Sequence, residues 1–80
     1  MPGKSENRQL LAVQKAVGAR IKKRRKEKQV SQEAFADLCG LHRSHMGQVE
    51  RGETNVTLST LHAVVEQLDI TISDLFNGIA

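Results

Sequence analysis

Residues 31–52 read SQEAFADLCGLHRSHMGQVERG, and this stretch carries the most specific structural signals in the chain. Ser31 is a residue type that caps helix N-termini, and Gly40 and Gly52 are residues that accept a positive φ at helix ends. The spacing predicts a helix of about eight residues, a tight turn at Gly40, and a helix of about nine residues that ends at Arg51. Ala36 is small enough to let these two short helices cross closely.

Two short helices joined by a glycine-containing turn have the form of a helix-turn-helix, and residues 31–51 fit it. Leu41, Met46 and Val49 are the apolar side chains that tie the second helix to the core. The outward face then carries small or hydrogen-bonding residues, namely Arg43, Ser44, Gly47, Gln48 and Arg51, with His45 at its flank. An Arg can grip guanine O6 and N7, and a Gln can grip adenine N6 and N7. This face therefore suits the major groove of DNA.

The remaining sequence is helical in pattern and shows no run typical of a strand. Apolar residues near the N-terminus recur at spacings of three and four and so share one helix face: Leu10, Val13, Val17 and Ile21. They predict a first helix from near Arg8 to near Lys28. Thr57 is placed to cap a fourth helix, and Thr71-x-x-Asp74 is a capping box that opens a fifth. The fold class is therefore all-α, a compact five-helix bundle.

A chain of 80 residues is long enough for one domain. We assign residues 8–80 to that domain and expect residues 1–7 to form a disordered tail. Cys39 is the only cysteine, which excludes an internal disulfide. The apolar run Leu10 to Val13 is too short for a secretory signal or a membrane span, so we expect a cytoplasmic protein without a membrane partner.

Charge is distributed unevenly along the chain, whose formal net charge is +3. Residues 1–30 contain ten basic and two acidic side chains, a balance of +8, whereas residues 31–80 contain two basic and seven acidic ones, a balance of −5. The basic run from Arg20 to Lys28 favours an anionic partner, most often nucleic acid. A solvated helix face would explain the same run, so it supports the assignment without carrying it.

Several segments together resemble the phage repressor/Cro type of DNA-binding domain: Arg20-Ile21-Lys22-Lys23-Arg24-Arg25, Ser31-Gln32-Glu33-Ala34-Phe35-Ala36, Gly40-Leu41, Val49-Glu50-Arg51-Gly52 and Leu58-x-x-Leu61. The resemblance covers about residues 17 to 77. Within that family the chain is most similar to small stand-alone regulators such as the controller proteins of restriction–modification systems. Two departures from the family pattern are Arg24, where Leu is usual, and Gln29, where Gly is usual.

The resemblance implies a role for each matching residue. Arg43, Ser44 and Gln48 lie where the family reads bases, and His45 flanks them. Phosphate and sugar contacts, which set register and not sequence, match Gln32, Arg51, Thr54 and Asn55. Arg25 and Glu50 match a buried ion pair between the first and third helices. Gln29 must either accept a positive φ or end the first helix differently.

The resemblance also implies a homodimer on a palindromic operator, with the recognition helices about 34 Å apart. Apolar residues in the fourth and fifth helices exceed what a small core needs. We therefore expect the dimer interface among Val64, Val65, Leu75, Phe76 and Ile79. The first helix is the rival interface.

Other functions are less favoured by the sequence. Cys39, His42 and His45 have the spacing C-x-x-H-x-x-H, but they fall on different elements without a fourth ligand, so we expect no metal. Ser44 and His45 lack a carboxylate that would orient the histidine. We expect no enzyme, no cofactor and no small-molecule ligand. An antitoxin-like module that binds a partner protein stays open as an alternative, and RNA binding is disfavoured by the near absence of aromatic residues.

Overall fold

The computed structural model describes the backbone of residues 4–79 and the side chains of residues 8–79. Over this range the chain forms five α-helices and no strand. They are α1 (Lys4–Glu27), α2 (Gln32–Cys39), α3 (Arg43–Arg51), α4 (Leu58–Leu68) and α5 (Ile72–Phe76). The all-α, five-helix prediction is confirmed. None of these helices is long and apolar enough to cross a membrane.

Local capping explains where the short helices begin. The hydroxyls of Ser31 and Thr57 each accept a hydrogen bond from the backbone N–H three residues further on, at 3.1 and 3.2 Å. Thr71 and Asp74 form the predicted capping box, with both reciprocal bonds at 3.0 Å. These bonds satisfy N–H groups that have no partner inside the helix. His42, which precedes α3, makes no side-chain cap of this kind.

The first helix begins earlier than the sequence predicts. It begins at Lys4 instead of near Arg8. Residues 4–7, which we expected in a tail, therefore continue the helix, and residues 1–3 lie outside the described part of the chain. The apolar pattern that predicts this helix begins at Leu10, so it does not indicate the polar turn that precedes Leu10.

The end of α1 accommodates both departures from the family pattern. Gln29 follows the helix with φ of 59°, which is the first of the two outcomes expected for it. Arg24 lies partly exposed on α1, with its Nη1 4.0 Å from Oε1 of Glu27. The charge of Arg24 therefore lies at the surface of the helix and not in the core.

One apolar core receives side chains from all five helices. Its buried members are Val17, Ile21, Phe35, Ala36, Met46, Val49, Leu61, Val64, Val65, Leu68 and Leu75. Val64, Val65 and Leu75 are 0%, 5% and 0% exposed, so the prediction that they form a dimer interface is wrong. The reason is that α4 packs against α1, α2 and α5 at once, which buries its apolar face within the monomer. Phe76 and Ile79 are only half-buried.

The long helix α1 is the element that holds α3 in place. A Cβ added at Gly18 would lie 2.3 Å from the carbonyl oxygen of Val49, so the two backbones approach as closely as a glycine allows.

At the other side of α1, Nη1 of Arg20 donates to the carbonyl oxygens of Leu75 and Asn77, at 3.2 and 3.0 Å. These bonds attach the C-terminal segment to α1.

Candidate nucleic-acid interface

The outward face of α3 carries the residues that the sequence assigned to it. Arg43, Ser44 and Gln48 are exposed, and His45 is half-buried at the flank. On the opposite face of the helix, Met46 and Val49 are 0% and 1% exposed. The helix is thus anchored by its apolar side and presents hydrogen-bonding groups to solvent, as groove reading requires.

A buried ion pair fixes α3 against α1. Arg25 donates from Nε to Oε2 of Glu50 at 2.7 Å and from Nη2 to Oε1 at 3.0 Å. Its remaining terminal nitrogen, Nη1, donates to the carbonyl oxygen of Val30 at 2.8 Å. Arg25 is 6% exposed and Glu50 5%. The contact that the resemblance implied is therefore present, with both carboxylate oxygens occupied.

Gln32 is oriented by the same ion pair. Its side-chain nitrogen donates to Oε1 of Glu50 at 3.1 Å. A carboxylate can only accept, so the amide must direct its NH₂ group toward Glu50 and its oxygen elsewhere. That oxygen lies over α3, 3.5 Å from the position that a Cβ on Gly47 would take. The sequence placed Gln32 at the interface but gave no signal for this orientation.

Arg51 and Gln32 converge above Gly47. Nη1 of Arg51 lies 3.0 Å from the same Cβ position, so the missing side chain leaves the space that both groups use. Arg51 is exposed and pairs with Glu53, Nε to Oε2 at 3.0 Å. The hydrogen bond to Glu53 raises the pKa of Arg51 above its ordinary value.

The loop after α3 places its polar residues beside α1. The hydroxyl of Thr54 donates to the carbonyl oxygen of Asn55 at 3.4 Å. The side chain of Asn55 accepts a hydrogen bond from the amide nitrogen of Gln14 on α1. Thr54 is half-buried and Asn55 exposed. The loop is thus tied to the same helix that anchors α3.

Acidic residues of α2 reach the outward face of α3. Arg43 pairs with two carboxylates of α2: its Nη1 lies 3.2 Å from Oε2 of Glu33, and its Nη2 lies 3.5 Å from Oδ2 of Asp37. These contacts depend on how α2 crosses α3, which the spacing of residues along the chain does not indicate, although the i, i+4 spacing of Glu33 and Asp37 puts both on one side of α2.

A metal site finds no support among the described residues, in which no group of three His, Cys, Asp or Glu side chains converges. Cys39 is half-buried, and its Sγ lies 3.9 Å from the carbonyl oxygen of Ala63. Burial raises the pKa of the Cys39 thiol to about 11. It therefore behaves as a small packing residue of α2.

Comparison with known proteins places this geometry in a family. The family model described as helix-turn-helix matches residues 21–78. The control protein C.MunI of Mycoplasma sp is 43% identical over 63 residues, which cover 78% of this chain and 85% of that protein. The immunity repressor protein of Bacillus phage phi105 is 44% identical over 57 residues, 71% of this chain but only 40% of that protein.

Solved structures agree with the sequence matches. The crystal structure of the restriction-modification controller protein C.AhdI from Aeromonas hydrophila superposes with a TM-score of 0.75 at 42% identity, and the match covers 78% of this chain and 94% of that one. The resemblance that the sequence indicated is confirmed. The chain belongs to the helix-turn-helix family of DNA-binding transcription regulators, and within it is similar to the controller proteins of restriction–modification systems.

Proposed function

We propose that this protein binds a palindromic duplex operator as a homodimer, with α3 of each copy in the major groove. The observation that carries the proposal is the division of α3 into a buried face locked by Arg25 and Glu50 and an exposed face of hydrogen-bonding side chains. Arg43, Ser44 and Gln48 read base edges on that exposed face. Binding alone is the mechanism, and it needs no cofactor.

The surrounding polar residues set the register of the complex. Gln32 at the start of α2, together with Arg51, Thr54 and Asn55 after the reading face, contacts phosphate and sugar. His45 lies at the flank of α3 and adds a contact there. We propose that the protein acts in the cytoplasm, because its proposed target is duplex DNA inside the cell.

The burial of Val64, Val65 and Leu75 requires a revised dimer surface. Phe76 and Ile79, the two predicted interface residues that stay accessible, line neighbouring clefts. Both clefts also include Leu10 and Val13 of α1, and Leu10 is 49% exposed. We therefore propose that the dimer contact joins the C-terminal segment to the N-terminal half of α1, which combines the two alternatives that the sequence left open.

Selection of duplexes from a random pool tests the proposed function. A homodimer of this kind enriches two inverted half-sites whose centres lie about one turn of B-DNA apart. Enrichment of a single asymmetric site would contradict the palindrome, and no enrichment at all would contradict sequence-specific binding. Locating the selected sequence in the DNA of the natural host then shows which gene boundary the protein controls, and hence whether it acts as a controller of restriction–modification genes.

The apolar surface of α1 also suits the antitoxin-like alternative, because an exposed patch of this kind fits a partner protein as well as a second copy. Light scattering on the purified protein separates the two. A mass of two chains that falls to one in Leu10→Asp supports the homodimer. A monomeric wild type that copurifies one stoichiometric partner from its natural host favours the alternative.

A further inference from the structure

Two acids of α2 lie against the edge of the Arg43 guanidinium that would contact a base. Glu33 lies against Nη1 and Asp37 against Nη2, so each terminal nitrogen faces its own carboxylate. An Arg that grips guanine does so with two of its nitrogens, one toward O6 and one toward N7. In the free protein, each of the two terminal nitrogens that a guanine would need therefore lies beside a carboxylate.

These contacts lie at the surface, which limits their strength. The side chain of Arg43 is 61% exposed, and those of Glu33 and Asp37 are 68% and 61% exposed. Exposed ion pairs are weak and are screened by salt. Pairs of this kind are weak enough for a guanine contact to replace them.

We propose that Glu33 and Asp37 compete with guanine for Arg43 and so reduce the discrimination for guanine that Arg43 provides. The proposal rests on the proposed function, since it assigns Arg43 a guanine contact. In the free protein the acids hold the guanidinium toward α2. Binding to an operator exchanges two ion pairs for the guanine contact, so the acids reduce the affinity that Arg43 contributes.

The competition has a specific signature. At a site with guanine, Arg43 leaves its acids, and removing the acids restores the full guanine contact. At a site without guanine, Arg43 keeps its acids, and removing them offers only a weaker phosphate contact. Neutralising Glu33 and Asp37 must therefore strengthen binding more at the operator than at the same duplex with the contacted guanine replaced.

The test is the double variant E33Q/D37N, which keeps the size and polarity of both side chains. We expect it to bind the selected operator about threefold to tenfold more tightly than wild type at low salt, with the difference shrinking as salt is raised. In an Arg43→Ala background the same two substitutions should change affinity less than twofold, because the side chain for which the acids compete is gone.

A matched control separates competition from net charge. E66Q/D69N adds the same two units of positive charge at α4 and its C-cap, which contribute none of the proposed DNA contacts. Asp69 has φ of 58°, a conformation that Asn also tolerates. We expect this control to bind within twofold of wild type.

Three results would overturn the proposal while leaving DNA binding intact. Weaker operator binding by E33Q/D37N would mean that the acids support Arg43 in its reading position. An equal gain in the Arg43→Ala background, or at the duplex without guanine, would mean that they merely repel phosphate. Thermal unfolding without DNA gives an independent test. If E33Q/D37N and Arg43→Ala change the free energy of unfolding additively, the acids and Arg43 do not interact. A wild type that binds no duplex overturns the proposed function itself.

Discussion

Arg25 and Glu50 form a two-bonded ion pair inside the domain, with Nε to Oε2 at 2.7 Å and Nη2 to Oε1 at 3.0 Å. The pair joins α1 to α3, and Gln32 adds a third hydrogen bond to the same carboxylate. One buried group therefore holds the recognition helix and orients a proposed phosphate contact. Both charges have polar partners, which is the condition for keeping an ion pair in a core.

Glu50→Ala should lower the free energy of unfolding by about 3–5 kcal/mol, because it leaves the Arg25 guanidinium buried without its counter-charge. Urea unfolding measures the change. Glu53→Ala is the matched control, since it removes a carboxylate that pairs with an exposed arginine, Arg51. That control should cost less than about 1 kcal/mol. Equal losses in the two variants would contradict a structural role for Glu50.

Arg43→Ala and Gln48→Ala should each remove about 1–3 kcal/mol of discrimination at one base pair in each half-site. The physical reason is that each side chain can make a two-bonded contact to one base edge. Binding measured against every single-base variant of the operator gives the result. If both variants keep the wild-type preference at all positions, the placement of α3 in the groove is wrong.

Arg51→Ala should weaken binding to all duplexes by a similar factor, because a phosphate contact carries no base information. An arginine guanidinium is charged at every relevant pH, and the hydrogen bond to Glu53 raises the pKa of Arg51 further. Losing one phosphate contact should also reduce the slope of log affinity against log salt by about 0.9. A changed base preference would instead assign Arg51 to reading.

Gly52→Ala should destabilise the domain more than Gly40→Ala, although both glycines have φ of 71°. Left-handed backbone costs a residue with a Cβ about 1–2 kcal/mol at either position. At Gly40 the new Cβ meets nothing within 4 Å, whereas at Gly52 it would lie 2.5 Å from Cα of Lys15. Urea unfolding of the two variants should therefore differ, and equal losses would mean that α1 and the end of α3 are further apart than described.

Cys39 should react slowly with a thiol reagent in the folded protein at pH 8. Burial raises its pKa to about 11, and the thiolate is the reactive form, so its population falls roughly 100-fold relative to an exposed cysteine. Alkylation followed by mass spectrometry gives the rate, and the same measurement in urea gives the unfolded reference. A folded-state rate equal to the reference would contradict the burial of this thiol.

Surface contacts between α2 and α3 could not be predicted from the residues alone. The sequence assigns Glu33 and Asp37 to α2 and Arg43 to the base-reading face of α3. Their contact depends on the angle between the two helices. The Arg25–Glu50 pair was available only through the family resemblance, since nothing in the spacing of two residues on different helices indicates a contact. The burial of Val64 and Val65 was missed for a similar reason: periodicity shows that apolar residues share a face, not what covers it.

The five helices and the borders of the helix-turn-helix could be predicted from the residues alone. Those borders depend on Ser31, Gly40 and Gly52, whose hydrogen bonds and backbone angles involve only neighbours along the chain. Only the packing of the helices shows which apolar residues fill the core and which stay exposed. It also decided that Gln32 is oriented by Glu50 and that Arg43 is held by two acids, because such contacts join residues that only the packing of helices brings together.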